Sequence, residues 1–244
     1  LYSVLPADGV GDFNFSRNSA ATRINKDGLI ETVASGVSRL NYPLIDGVVN
    51  GCPSHLLEPS RLQKIQYSEA FDNAYWTKNG SSVVSGFVSP KGDLSAFKLV
   101  ENTSTIAHFT GSGNITSSSG NTITNSVFAK KGEHNYLVIT LTDLTTGEVS
   151  ATVNLENGTV VGGVSGSWTN TSVKIETFKN DWFKISLTGT QGAGTNIKTN
   201  YYINQKASYQ GDGTSGVYIF GAQIEIGSFP TSYIPNYGTS AGIT

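Results

Sequence analysis

Charge is scarce in this chain and sulfur scarcer, and each shortage removes a class of function. Only 14% of the 244 residues are charged and the net charge is −2. Binding to a phosphate backbone needs clustered Lys and Arg, and the basic doublet is confined to Lys130-Lys131, so no nucleic-acid partner is expected. A single cysteine, Cys52, excludes an intrachain disulfide framework and a Cys-based zinc site. The expectation for it is a small, half-buried core position. No apolar run approaches the roughly 20 residues of a membrane-spanning helix, and no basic-led signal peptide is present, so membrane insertion is not expected. Methionine is absent, position 1 included, which reads as a processed product or a piece of a longer protein.

Helical periodicity is nearly missing as well. The best candidate, Leu56 to Tyr67, is broken in its first turn by Pro59. What is abundant is glycine, at 28 residues, together with Ser, Thr and Asn; these favour turns and strand ends. A hydrophobic fraction of 37% still supplies a core, which argues against disorder.

Alternation and short β-rich runs mark strands at Ser81–Val88, Ala96–Glu101, Asn125–Lys130, Asn135–Leu141, Val149–Asn154, Val173–Thr177, Trp182–Thr188, Asn200–Lys206 and Val217–Glu225. Glu156-Asn157-Gly158 joins Val149–Asn154 to Thr159–Val161 as the clearest hairpin. Strands at this spacing without intervening helices predict an all-β, antiparallel jelly-roll sandwich over residues 66–244. Residues 1–65 differ in texture: a hairpin around Asn25-Lys26-Asp27-Gly28-Leu29 is followed by extended, proline-punctuated segments. They predict a wrapping arm, locked by Arg17, Arg23, Arg39 and Arg61 through carbonyls and through Glu31 or Glu58.

Phe15-Ser16-Arg17, Ala21-Thr22-Arg23, Asp27-Gly28-Leu29-Ile30-Glu31, Arg39-Leu40-Asn41-Tyr42, Leu57-Glu58-Pro59-Ser60-Arg61 and Tyr67-Ser68-Glu69-Ala70-Phe71 follow one another in an ordered series. Downstream come Ser126-Val127-Phe128-Ala129-Lys130, Asp181-Trp182-Phe183-Lys184, Tyr209-Gln210-Gly211-Asp212-Gly213 and Gly221-Ala222-Gln223-Ile224-Glu225, closed by Pro230-Thr231-Ser232-Tyr233-Ile234-Pro235. Together they resemble a family of tailed-phage and prophage virion proteins with concanavalin A-like or carbohydrate-binding-module-like (galactose-binding-like) sandwiches. The resemblance implies display on a virion surface, on a tail or head fibre. Its implied partners are other virion proteins, further copies of the chain, possible as a trimer, and a host-surface polysaccharide. It carries no residue-level site. Relatives often place Arg where Lys184 stands, a position expected at a strand edge.

Chemistry was sought in the remaining side chains. Glycoside hydrolysis needs two carboxylates across the scissile bond, and no Glu-x-Asp-x-x-Glu run exists. His55, His108 and His134 stand apart, with no Gly-x-Ser-x-Gly elbow. The chain is therefore expected not to be an enzyme and to need no cofactor or metal. A structural calcium at Gly211-Asp212-Gly213 or at Asp8-Gly9…Asp12 is the one ion these turns could take. Carbohydrate recognition is the reading that survives, because sugar faces stack on aromatic rings while amides and charges take the hydroxyls. Tyr202, Asn204 and Lys206 alternate onto one strand face. Trp168, set among glycine, serine, threonine and asparagine, is the tryptophan least expected in the core. Gln223 is the polar residue of the last strand that could face a ligand, or equally turn inward to hydrogen-bond the N-terminal arm. A structural role without a ligand, with these aromatics in a subunit interface, is the alternative.

Overall fold

The computed structural model describes residues 15–239. Short strands open the described chain: β1 (Ala21–Ile24), β2 (Ile30–Val33), β3 (Leu40–Asn41), β4 (Leu44–Ile45), β5 (Val48–Val49) and β6 (Ser54–His55). They pair β1 with β2, β3 with β6 and β4 with β5, all antiparallel. Then come β7 (Thr77–Asn79), β8 (Ser81–Phe87), β9 (Ala96–Glu101), β10 (Thr105–Ile106), β11 (Phe109–Gly111), β12 (Ile115–Thr116), β13 (Thr122–Lys131) and β14 (Tyr136–Asp143). They are followed by β15 (Gly147–Asn154), β16 (Thr159–Gly166), β17 (Thr169–Phe178), β18 (Trp182–Thr190), β19 (Asn196–Lys198), β20 (Asn200–Ile203), β21 (Tyr209–Gln210) and β22 (Gly216–Ile226).

Two antiparallel sheets dominate. The larger runs β16-β15-β14, then β19 and β20 along the other edge of β14, then β12 and β11, and ends on β7. The smaller runs β17-β18-β13-β22-β9-β8. Period-2 alternation aims one side of each strand at a shared core. Leu137, Ile139, Leu141, Val149, Ala151 and Val153 enter it from the larger sheet; Leu99, Ile123, Ile185, Leu187, Val217 and Ile219 enter from the smaller. The fold is thus all-β and sandwich-like, and among the described residues there is no α-helix. The stretch Leu56 to Tyr67 is irregular and extended, as Pro59 dictates.

A second apolar cluster lies on the outer side of the smaller sheet. Phe128, Trp182 and Phe220 project there and meet Ile30 of the arm and Tyr233 of the C-terminal tail. Arg39 Nη1 ties these layers together, donating to Thr22 O (3.2 Å), Glu58 Oε2 (2.8 Å) and Ser232 Oγ (2.7 Å). Arg17 caps the carbonyls of Ser19, Val37, Val33 and Ala34, and Arg23 pairs with Glu31 at 2.8 Å. Lys64 N donates to Ile224 O, and Gln63 Nε2 to Ala222 O, each at 2.9 Å.

Several expectations change here. Cys52 is exposed, not half-buried, in an irregular stretch between exposed Gly51 and half-buried Pro53. Lys184 is buried on an interior strand of its sheet and not at an edge; its Nζ donates to Thr231 O at 2.6 Å and lies over the Phe128 ring. Burial holds its ammonium below the usual lysine range. The hairpin through Glu156-Asn157-Gly158 forms as read, closed by Gly158 N to Asn154 O at 2.9 Å with Gly158 at φ +66°.

Candidate functional site

Arm and tail cover the middle of the smaller sheet's outer face, over Phe128, Trp182 and Phe220, whereas the outward rows of the larger sheet lie apart from both. Among the described residues, the hydrogen bonds of the arm go to itself, the tail, the smaller sheet and its flanking loops, apart from Lys64 Nζ to Thr116 O. The larger sheet presents rows of outward residues set by strand register. One row runs Asn79, Phe109, Tyr202, Val138, Thr152, Val161. Phe109 and Tyr202 touch as a tilted pair, ring centroids 4.6 Å apart. The next row carries Asn200 and Thr140, joined by Asn200 N to Thr140 Oγ1 at 3.1 Å, and then Ser150 and Ser165. The amide of Asn200 lies over Gly111, where a Cβ would sit 2.2 Å from Asn200 Oδ1. Only glycine leaves that room. A third row holds Lys198, Thr142 and Glu148.

Tyr202, Asn200, Lys198, Thr142 and Glu148 are half-buried, while Val138, Thr140 and Ser150 are buried between them. Burial raises the Tyr202 phenol above the usual tyrosine range. The phenol therefore stays protonated and can donate.

The predicted residues separate on this frame. Tyr202 is where the alternation puts it. Strand β20 ends at Ile203, however, and Asn204 adopts φ +61°, so the pattern Tyr202, Asn204, Lys206 does not continue along one strand. Asn204 N donates to Tyr136 O at 2.9 Å, at the start of β14. Lys206 Nζ meets Glu148, which lies opposite Thr142 near the end of β14. The loop 204–208 therefore turns back along the face instead of extending it.

Trp168 and Gln223 belong elsewhere. Trp168 is buried, 6% exposed, its indole resting on Gly189 and its Nε1 donating to Gly147 O at 3.3 Å. It is a core residue, which corrects the reading of it as the outward tryptophan. Gln223 is fully buried; its amide donates to Glu225 Oε2 at 2.7 Å, and its Oε1 accepts from Ile234 N at 2.7 Å. It anchors the tail and faces no ligand. Phe109 and Asn200 are the members of the face that sequence reasoning did not single out.

Asp212 spends its carboxylate on its own turn, accepting from Thr214 N and Ser215 N at 2.7 Å each and from both hydroxyls. These bonds hold it well below the usual carboxylate range. Among the described residues no group of three or more His, Cys, Asp or Glu is placed to hold a metal ion, and Asp8-Gly9…Asp12 lies outside them. No helix among them is long and apolar enough to cross a membrane.

No protein-family model matches the chain, and no curated protein matches it. Among solved structures it is similar to the enzymatically active domain of tailspike protein 4 of bacteriophage CBA120. The TM-score is 0.41 at 14% identity over 67% of this chain. The chain spans 21% of that tailspike's length. The expectation that the chain is not an enzyme is withdrawn beside a solved domain that is itself described as enzymatically active, and that description is of the tailspike domain alone.

Proposed function

We propose that the chain is a phage tail-associated, virion-surface protein that binds host-surface polysaccharide on the outer face of its larger sheet. In this reading residues 1–65 are the wrapping arm and 66–244 a jelly-roll sandwich, assembled as a homotrimer with other virion proteins as neighbours. The observation that carries it is the contrast between the two outer faces. Arm and tail cover the middle of the smaller sheet. The larger keeps Phe109 and Tyr202 as a ring pair beside Asn200, Thr142, Lys198 and the Lys206–Glu148 pair. Rings offer a stacking surface for sugar C–H faces, and the flanking amides, hydroxyls and charges take sugar hydroxyls.

The test is calorimetric titration of the protein with purified surface polysaccharides of the host, with released reducing ends measured in the same samples. Binding that Tyr202→Ala and Phe109→Ala abolish, with folding retained, supports the face. Binding that both variants keep refutes it. Release of reducing ends would add turnover at a carboxylate to the same reading.

A further inference from the structure

A second cavity, of about 580 Å³, opens between arm and tail, within the roughly 300–1,000 Å³ of ligand sites. It is remote in composition from the sheet face, and nothing argued for it rests on polysaccharide binding. Arg17, Arg39 and Arg61 line it, and Glu58 is its single carboxylate. That carboxylate is already engaged: Ser232 N (2.8 Å) and Ser232 Oγ (2.7 Å) donate to it, as does Arg39 Nη1. Among the described residues the hydrogen bonds of Arg17 go to backbone carbonyls, its guanidinium lies over the Phe15 ring, and burial together with the charge of Arg39 lowers its pKa. Arg61 is the most exposed to this imbalance. Its guanidinium is stacked on Phe229 and against Gly227, its Nε is buried without a hydrogen-bond partner, and no carboxylate pairs with it among the described residues. A chain of net charge −2 thus concentrates uncompensated positive charge in one cavity.

Planar guanidinium groups bind carboxylates through paired, charge-assisted N–H donors. The rest of the wall mixes serine and threonine with an aliphatic patch of Pro59, Leu62, Ile234 and Pro235, and no aromatic ring lines it for a sugar face to stack on. We propose that this cavity binds an acidic peptide segment of a neighbouring protein chain, its carboxylate on Arg61 and Arg39 and an adjacent aliphatic side chain on the proline-lined wall.

The test uses the full chain and fluorescence anisotropy with a library of N-acetylated hexapeptides of Leu, Pro and Glu, each matched to a version with Gln for Glu. At least one Glu peptide is expected to bind, with its Gln match at least tenfold weaker. Arg61→Gln is expected to weaken the Glu peptide about tenfold, and Arg61→Lys to fall between, because lysine keeps the charge without the plane. Thermal melting of both variants separates lost binding from lost fold. No peptide binding, equal binding of Glu and Gln peptides, or Arg61-dependent binding of glucuronate alone would overturn the proposal.

Discussion

Tyr201 of the larger sheet donates its phenol proton to Asn125 Oδ1 of the smaller sheet at 2.9 Å, across the middle of the sandwich. Asn125 Nδ2 in turn donates to Thr140 O (3.1 Å) and Thr199 Oγ1 (2.6 Å). Thr199 is the residue at which the line of β19 and β20 is interrupted, so the amide supplies hydrogen bonds where the ladder breaks. A buried polar group inside an apolar core is tolerated only when satisfied in this way.

Tyr201→Phe leaves the Asn125 carbonyl oxygen without its phenol donor, and is expected to cost about 1–3 kcal/mol. For a domain of this size that is a melting shift of about 2–4 °C per kcal/mol. Burial also raises the Tyr201 phenol above its ordinary range. Its stabilisation is therefore complete below about pH 10 and is lost as pH rises toward the folded value. Denaturant titrations at pH 8 and pH 11 check this: the variant must lose less between them than the parent chain.

Trp168→Ala and Tyr202→Ala separate fold from face. The first removes a buried indole and is expected to destabilise by about 3–5 kcal/mol. The second removes a half-buried ring and is expected to leave the melting point within a few degrees while lowering polysaccharide affinity at least tenfold, about 1.4 kcal/mol. Melting curves and titrations on both variants decide the assignment, and the reverse pattern would return Trp168 to the ligand side.

Asp143 predicts the acid limb. Burial pushes its carboxyl up, but donation from the Thr146 hydroxyl and from the amides of Thr146, Thr145 and Gly194 outweighs it, and the net shift is downward. A depressed carboxyl adds stability above the ordinary Asp value of about 3.9, which is lost as pH falls through the folded value. Asp143→Asn is expected to be less stable than the parent at pH 7, with the gap closing below about pH 3. Equal gaps in urea unfolding at both pH values would contradict this.

Arg39→Ala removes one partner of the largely buried Arg39–Glu58 pair and strips Thr22 and Ser232 of their shared donor. The expected loss is about 3 kcal/mol. Hydrogen exchange is expected to show it first at β1, β2 and the tail, with β13 to β15 still protected. Uniform loss across both sheets would mean that the arm and the sandwich open together.

Strand positions were legible because two-residue alternation survives in any sheet with one face in a core. Ala96–Glu101 matches β9 end for end, and Val217–Glu225 lies within β22 by one residue at each end. Trp168 was not legible. Its neighbours read as a turn, and only Gly189 on the adjacent strand shows where the indole goes. Gln223 failed for a similar reason: the groups that satisfy it, on Glu225 and Ile234, are fixed by the returning tail. Asn204 and Lys206 failed through a local event, the positive φ at Asn204 that ends the strand. Phe109 sits on a strand of only three residues, too short for alternation to show. The locks of Arg17, Arg23 and Arg39 were legible from their place among extended segments beside Glu31 and Glu58, whereas Arg61, expected to lock as they do, stacks on Phe229 with its Nε unpartnered.

The seam in which Thr22 Oγ1 donates to Tyr233 O joins residues 211 positions apart. Contacts of such separation carry a large loop-closure entropy and slow folding. The arm leaves the ribosome first, yet the surface it covers is finished only when β22 and the tail have formed. Until then Phe128, Trp182 and Phe220 stand uncovered on the smaller sheet, and a nascent chain stalled before Tyr233 presents them as a sticky apolar patch.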